Sequence, residues 1–314
     1  MSGTPRRSPS PLLSLPGAVA GAGIDAPVAA HYGSLYGEQK TLEAGEGFVD
    51  LSHHDVVRIS GPDRLQWLHD LTTQYFLDLP AKTWTQALVL SPQGHVEHAF
   101  AGYDDGSSFT AATEPGATAA LVGFLDRMRF LSQVEVADVT SELALTWRPA
   151  AGHELVPRER LTSYAEAAGP ACGLWAYEAL RIARGEPRLG LDTDERTIPN
   201  EVGWIDTAVH MDKGCYRGQE TVARVHNLGR PPRRLTLLHL DGSENRLPEV
   251  GSELRQGEKV VGFVGTSARH HELGPIALAL VKRNVPVDAP LEVDGLPAAQ
   301  EVIVDPEVGL HFRR

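Results

Sequence analysis

The 314-residue chain holds two cysteines and three methionines, only 6% of it is aromatic, and its formal charge is −12. Each scarcity excludes something. Cys172 and Cys215 lie too far apart in sequence to form a paired-cysteine metal knuckle. Two cysteines also cannot make a disulfide framework, which points to a reducing, cytoplasmic setting. No apolar run approaches the roughly 20 residues that a membrane-spanning helix needs, so no membrane association is predicted. No basic run follows Arg7, and an acidic chain lacks the local excess of Lys and Arg that phosphate binding requires, so direct nucleic-acid binding is not expected. A phosphate cradle is missing as well. Gly257-Glu258-Lys259 does not have the P-loop pattern, and no G-x-G-x-x-G opens a helix after a strand.

What is present suits a folded protein of two or three domains, since 42% of the residues are hydrophobic. Residues 1–24 are rich in Ser, Pro, Gly and Ala, a composition that predicts a disordered tail. Arg6-Arg7 ahead of Leu12-Leu13 and Ala18-Val19-Ala20 faintly suggests an export signal, but Pro11 and Pro16 interrupt its apolar core.

Val56 to Ile59 reads as a strand, and Ser60-Gly61-Pro62-Asp63 as the start of a helix whose buried face carries Leu65, Trp67, Leu68 and Leu71. Trp84 to Leu90 and His95 to Tyr103 form a predicted hairpin through Ser91-Pro92-Gln93-Gly94. An amphipathic helix carrying Leu121, Phe124, Leu125 and Met128 and a strand from Val134 to Val139 complete an α+β module. A third helix, Leu174 to Arg184, ends at Gly185. After the stiff linker Gly229-Arg230-Pro231-Pro232, short β-rich runs (235–240, 260–264, 276–281 and 302–304) predict a small all-β domain. The expected division is a tail over 1–24, an α+β module over 25–232 made of two intertwined subdomains, and a β domain over 233–314.

The stretch Lys213-Gly214-Cys215-Tyr216-Arg217-Gly218-Gln219-Glu220 sets a cysteine between two cations, ahead of a predicted helix from Gln219. The positive end of a helix with Lys213 and Arg217 favours thiolate over thiol, making Cys215 a candidate nucleophile or metal ligand. The alternative is a small buried filler in a loop shaped by Gly214 and Gly218. Cys172 has no close cation beside it and reads as a buried structural thiol. Thirteen histidines raise a metal reading, with His53-His54, His95 and His98 able to converge, yet none has the spacing of a known site. The pair His270-His271 falls in a predicted solvated loop.

Three segments resemble the folate-binding family of the glycine-cleavage T-protein (aminomethyltransferase-like), and within it the YgfZ-type proteins. They are Gly47-Phe48-Val49-Asp50-Leu51-Ser52-His53 with Ile59-Ser60-Gly61-Pro62-Asp63, then Arg181-Ile182-Ala183-Arg184-Gly185-Glu186-Pro187-Arg188-Leu189-Gly190 running through Asp192 to Thr197-Ile198-Pro199-Asn200-Glu201, and finally Lys213 to Glu220. The resemblance covers about residues 25 to 314. It implies an aminomethyltransferase-like module followed by a C-terminal β-barrel domain, with domains ringed around a pocket that holds tetrahydrofolate. It also implies an acidic contact to the pterin, best matched by Glu195 with Asp194 as rival, and a cation, Arg233, toward the folate glutamate tail. A solvated acidic loop and a surface arginine are the plain alternatives.

Departures narrow the activity. His98-Ala99 stand where aminomethyltransferases carry adjacent aspartates. An alanine cannot orient a cationic amine and an imidazole would do so poorly, so glycine cleavage is not expected. Leu189 likewise replaces a frequent tyrosine. The resemblance therefore implies a folate-dependent accessory protein for assembly or repair of iron-sulfur clusters, with Cys215 and Lys213 as its working pair. Its partners would be iron-sulfur client enzymes, with tRNA-modifying enzymes among the candidates. The alternative is a folate-dependent one-carbon transferase using His98 or Glu97, and a third reading is a folate-binding scaffold without chemistry.

Overall fold

The structure is a computed structural model that describes residues 8–205 and 207–307. By internal contact the chain forms two compact units. One comprises Met1–Leu68, Phe76–Thr85 and Phe100–Glu178, and the other His69–Tyr75, Gln86–Ala99 and Ala179–Arg314. Among the described residues six α-helices occur in chain order: α1 (Leu35–Glu43), α2 (Arg64–Leu71), α3 (Thr118–Arg127), α4 (Leu161–Ala168), α5 (Leu174–Ala183) and α6 (Gln219–Leu228).

In the first unit the strand Ser108–Thr113 is buried along its whole length and Asp55–Ser60 along most of its own. Asp55–Ser60 lies between Ser108–Thr113 and Glu135–Asp138, and Phe100–Asp104 flanks Ser108–Thr113, all antiparallel. Trp67 and Leu68 of α2 are buried, as the helical spacing required. A second sheet runs Gly152–Pro157, Leu143–Arg148, Phe48–Asp50, Ala171–Cys172, with the last pair parallel. The Glu38 carboxylate on α1 accepts from the backbone N–H groups of Tyr32, Ser34 and Gly173 at 2.7–3.1 Å, tying three segments together.

The expected disordered tail is corrected over residues 8–24. Pro11–Ser14 form a short 3-10 helix, Leu12 is buried with Phe48, Ala144 and Leu161, and the Ser10 hydroxyl donates to Asp50. One leucine and one serine anchor the strap to the second sheet, a long-range docking that local composition does not record. Residues 1–7 lie outside the described residues.

The second unit carries a closed antiparallel barrel of six strands: Arg233–Leu240, Gly274–Lys282, Lys259–His270, Glu253–Gln256, Leu291–Val293 and Leu296–Val302. Its first strand alternates strictly. Leu238 and Leu240 enter the barrel core with Leu254, Val264 and Val293, whereas Leu235 and Leu237 pack with Ala179, Ile182, Trp204 and Val222. The sheet thus buries both faces, which places the barrel in one unit with the residues before 232. His270, expected in a solvated loop, ends the long strand and is buried, its Nδ1 accepting from the N–H groups of Glu272 and Leu273.

Candidate functional site

The loop from Arg181 to Glu201 is organised around carboxylates. Asp192 is buried and accepts from the Thr266 N–H (2.6 Å) and hydroxyl (2.7 Å), the Arg188 N–H (2.8 Å) and the Arg181 guanidinium (3.2 Å). Its fit to the barrel explains Gly265, where a Cβ would stand 2.3 Å from Asp192 Oδ1. Two residues on, Asp194 takes Arg233 in a bidentate grip at 2.5 and 3.0 Å, and the same guanidinium reaches Glu201 at 2.8 and 2.9 Å. Burial works against the Asp194 charge, but hydrogen bonds from Arg233 and Thr197 and the Arg233 charge outweigh it and push the carboxyl down to about 2. Glu195 is different, standing exposed on the turn between these engaged acids.

Arg233 is therefore not an open cation. Expected to face a folate tail, it has both of its edges taken by Asp194 and by the fully buried side chain of Glu201. Asp194, the rival pterin contact, is the acid held in that pairing.

The Lys213–Glu220 segment forms a turn and the start of α6. Gly218 caps the helix at φ +81°, and a Cβ there would lie 2.4 Å from the Ser91 carbonyl oxygen. Across the contact, a Cβ at Gly94 would meet Thr221 at 2.8 Å, so both glycines are needed for the turn at 91–94 to seat against α6. Tyr216 is buried in the core with Leu88, Val96 and Leu235. Between these anchors Gly214 and Cys215 are exposed.

The two cations have other partners than the thiol. Lys213 is buried, and its ammonium donates to the carbonyl oxygens of His69, Thr72 (2.7 Å) and Gln74 (3.2 Å). Desolvation lowers it to about 8, with Asp70 countering. Arg217 pairs with Glu97 at 3.0 Å. Cys215 also precedes the cap by three residues, outside the first helical turn in which the dipole acts. The Lys213 ammonium, expected to act beside the Cys215 thiol, is thus engaged by backbone carbonyls.

On the strand Val96–Asp104, Glu97 is exposed and paired with Arg217, and alternation turns His98 to the opposite face. Elsewhere, His53 is buried with its Nε2 3.2 Å from Asp25, and His54 Nδ1 lies 3.0 Å from the Thr113 carbonyl. Cys172 is buried, and desolvation with Glu38 nearby pushes its thiol up to about 12.

Sequence reading missed three features of this region. The Arg181–Asp192–Thr266 lock had no local signal. Arg234 is almost wholly buried and bonds the Gln300 side chain at 2.7 Å. Its inward direction follows from strand alternation once Arg233 is seen to point out. The third is a run of ring contacts, His69 edge-on to Tyr75 at 4.9 Å and Tyr75 tilted against His210 at 5.3 Å, beside Lys213.

No family model matches the chain. A chloroplast transferase of Arabidopsis thaliana is 23% identical over 80% of this chain and 69% of its own length. An aminomethyltransferase of a Nostoc strain is 27% identical over 79% of this chain and 55% of its own length. The tRNA-modifying protein YgfZ of Shigella dysenteriae is 41% identical over 26% of this chain and 25% of its own. Most of these relatives are therefore matched over about half of their length or less. Among known structures, aminomethyltransferase T of the glycine cleavage system from Bartonella henselae superimposes with a TM-score of 0.78 at 17% identity, covering 95% of this chain and 96% of that one. The overlap establishes the fold, including the expected C-terminal barrel.

Proposed function

We propose that this chain, which has the fold of the aminomethyltransferases and sequence kinship with both aminomethyltransferases and YgfZ-type proteins, is a folate-binding accessory protein supporting assembly or repair of iron-sulfur clusters in client enzymes. Cys215 is its working thiol. The observation that carries the reading is the build of the Lys213–Glu220 turn, where lysine, tyrosine and the close-packed Gly218 hold a scaffold and the cysteine is left at the surface. A structural cysteine would be the buried member of such a turn. A surface thiol can meet a reactive group on another macromolecule. Client enzymes of tRNA modification are the first partners to consider, because the YgfZ relatives are named tRNA-modifying proteins. Among the described residues no helix is long and apolar enough to cross a membrane, and the two free cysteines suit a cytoplasmic setting.

Tetrahydrofolate is the cofactor this reading requires. The residues fit its pterin end in part: the exposed Glu195 carboxylate can accept two parallel hydrogen bonds from the pterin amino group and ring N–H. They do not fit at the tail end, since Arg233 is bound to Asp194 and Glu201. When bound, the reduced folate supplies a carrier for one-carbon units.

Calorimetric titration with tetrahydrofolate, run on the native protein and on Glu195→Ala, tests the cofactor. Saturable binding that weakens in the variant supports it, and no binding in either overturns it. Complementation of an iron-sulfur client defect by the native gene but not by Cys215→Ala supports the role of the thiol; equal rescue removes it.

A further inference from the structure

The turn that presents Cys215 is fastened from below through the Lys213 side chain. We propose that Lys213 is the positioning residue for Cys215, acting as a clamp that fastens the turn at 210–216 to the segment at 69–75, and not as a charge that ionises the thiol. The inference rests on the reading of Cys215 as the working thiol.

Its ground is donor accounting. An ammonium has three protons, and the Lys213 Nζ directs them to three backbone carbonyls, of His69 in the last turn of α2 and of Thr72 and Gln74 beyond it. Helix-end carbonyls lack intrahelical donors, so a cation there satisfies them and complements the dipole. Further bonds stitch the same two segments: His210 N–H to Thr73 O (2.9 Å), Thr73 hydroxyl to Ala208 O (2.6 Å) and Gln74 Nε2 to Thr207 O (3.2 Å). The Tyr216 ring lies 5.5 Å from Nζ, within reach of a cation–π contact. Asp70 and His69 are the other titratable groups that face it from α2, and His210 and Asp212 lie on its own turn.

A buried ammonium at the root of a surface loop is a costly arrangement, and desolvation lowers Lys213 to about 8. A serine or threonine could bond one carbonyl without that penalty. Lysine is the side chain long enough to gather three carbonyls at one nitrogen.

Two readouts on the isolated protein separate a clamp from a thiolate stabiliser. The first is amide hydrogen exchange at His210 and Lys213, whose N–H groups hold the turn. The second is the pH midpoint of Cys215 alkylation by iodoacetamide. Lys213→Met is expected to lower protection at these amides roughly tenfold, the loss of a charge-assisted bond, while the alkylation midpoint stays in place. A midpoint displaced by about one pH unit in Lys213→Met and restored in Lys213→Arg would overturn the proposal, because Lys213 would then act on the thiol directly. Unchanged protection would overturn it too. If Lys213→Met fails to fold, Lys213→Arg decides alone, since a planar guanidinium cannot place three donors as one nitrogen does: loosened amides with an unmoved midpoint support the clamp, and unchanged amides refute it. Neither readout involves folate or a cluster, so failure of the clamp is distinguishable from failure of the proposed function.

Discussion

Arg233 holds Asp194 through Nη1 at 2.5 Å and Nη2 at 3.0 Å while its remaining edge grips Glu201, so one guanidinium joins the loop at 192–201 to the first strand of the barrel. Removing it leaves the buried Glu201 carboxylate uncompensated. Arg233→Met is expected to destabilise the protein by about 3 kcal/mol, read from denaturant unfolding. A loss below about 1 kcal/mol, the range of a surface ion pair, would show that the network is not maintained in solution.

The same pair sets an acid limb. Asp194 sits at about 2 in the folded protein against an ordinary 3.8, so its contribution is present above about pH 4 and is lost as pH falls toward about 2. Because the carboxylate is 30% exposed, the contribution is about 2 kcal/mol at most. In Asp194→Asn the loss of stability over that window should be correspondingly shallower; an identical acid limb would place the depressed group elsewhere.

Gly218 tests the seating of the turn that carries Cys215. Its φ of +81° and the 2.4 Å approach of a Cβ to the Ser91 carbonyl leave no room for Gly218→Ala without movement. The expected cost is about 2 kcal/mol or more. Gly214, where a Cβ meets nothing within 4 Å, is the internal control, and Gly214→Ala should change stability by less than about 0.5 kcal/mol. Equal effects at the two positions would contradict the packing.

Elements with a strong local period were legible in the sequence: the helix at Arg64–Leu71, the hairpin around Ser91–Gly94 and the barrel strands at Arg233–Leu240 and Gly274–Lys282. The strap at 8–24 was not, because its order comes from Ser10 and Leu12 meeting residues far along the chain, Asp50 and Phe48 as well as Ala144 and Leu161. The site divides the same way. That Cys215 lies on a glycine-containing turn between two cations was readable from its neighbours in sequence. What the cations do was not, since three backbone carbonyls leave no trace in a sequence, and nothing local marks Glu201 as the partner that removes Arg233 from the surface.

Phe130 and Leu131 stand 82% and 98% exposed at the turn after α3, and Phe130 adopts φ +44°, a conformation that a bulky residue avoids. The turn is nonetheless held, by Ser132 N–H to Arg129 O and Gln133 N–H to Asp63. Phe130→Gly removes the strain and little packing, and should stabilise the protein by about 1 kcal/mol. A destabilised variant would mean that the aromatic ring has a partner in solution.

The two cysteines give the most direct check on the architecture, because the structure assigns them opposite environments. Cys172 is 1% exposed, packed beneath Gly47 with its thiol pushed up to about 12, whereas Cys215 is exposed on its turn. Alkylation needs both access and thiolate, and Cys172 has neither. Native protein treated with iodoacetamide and analysed by mass spectrometry should take up one label, at Cys215, and a second only after denaturation. Cys215→Ser should abolish the native label and leave unfolding stability within about 0.5 kcal/mol, as expected for an exposed side chain. Native labelling at Cys172 would show that the strand at Ala171–Cys172 opens on the timescale of the reaction, and protection of Cys215 would remove the surface thiol on which the proposed function depends.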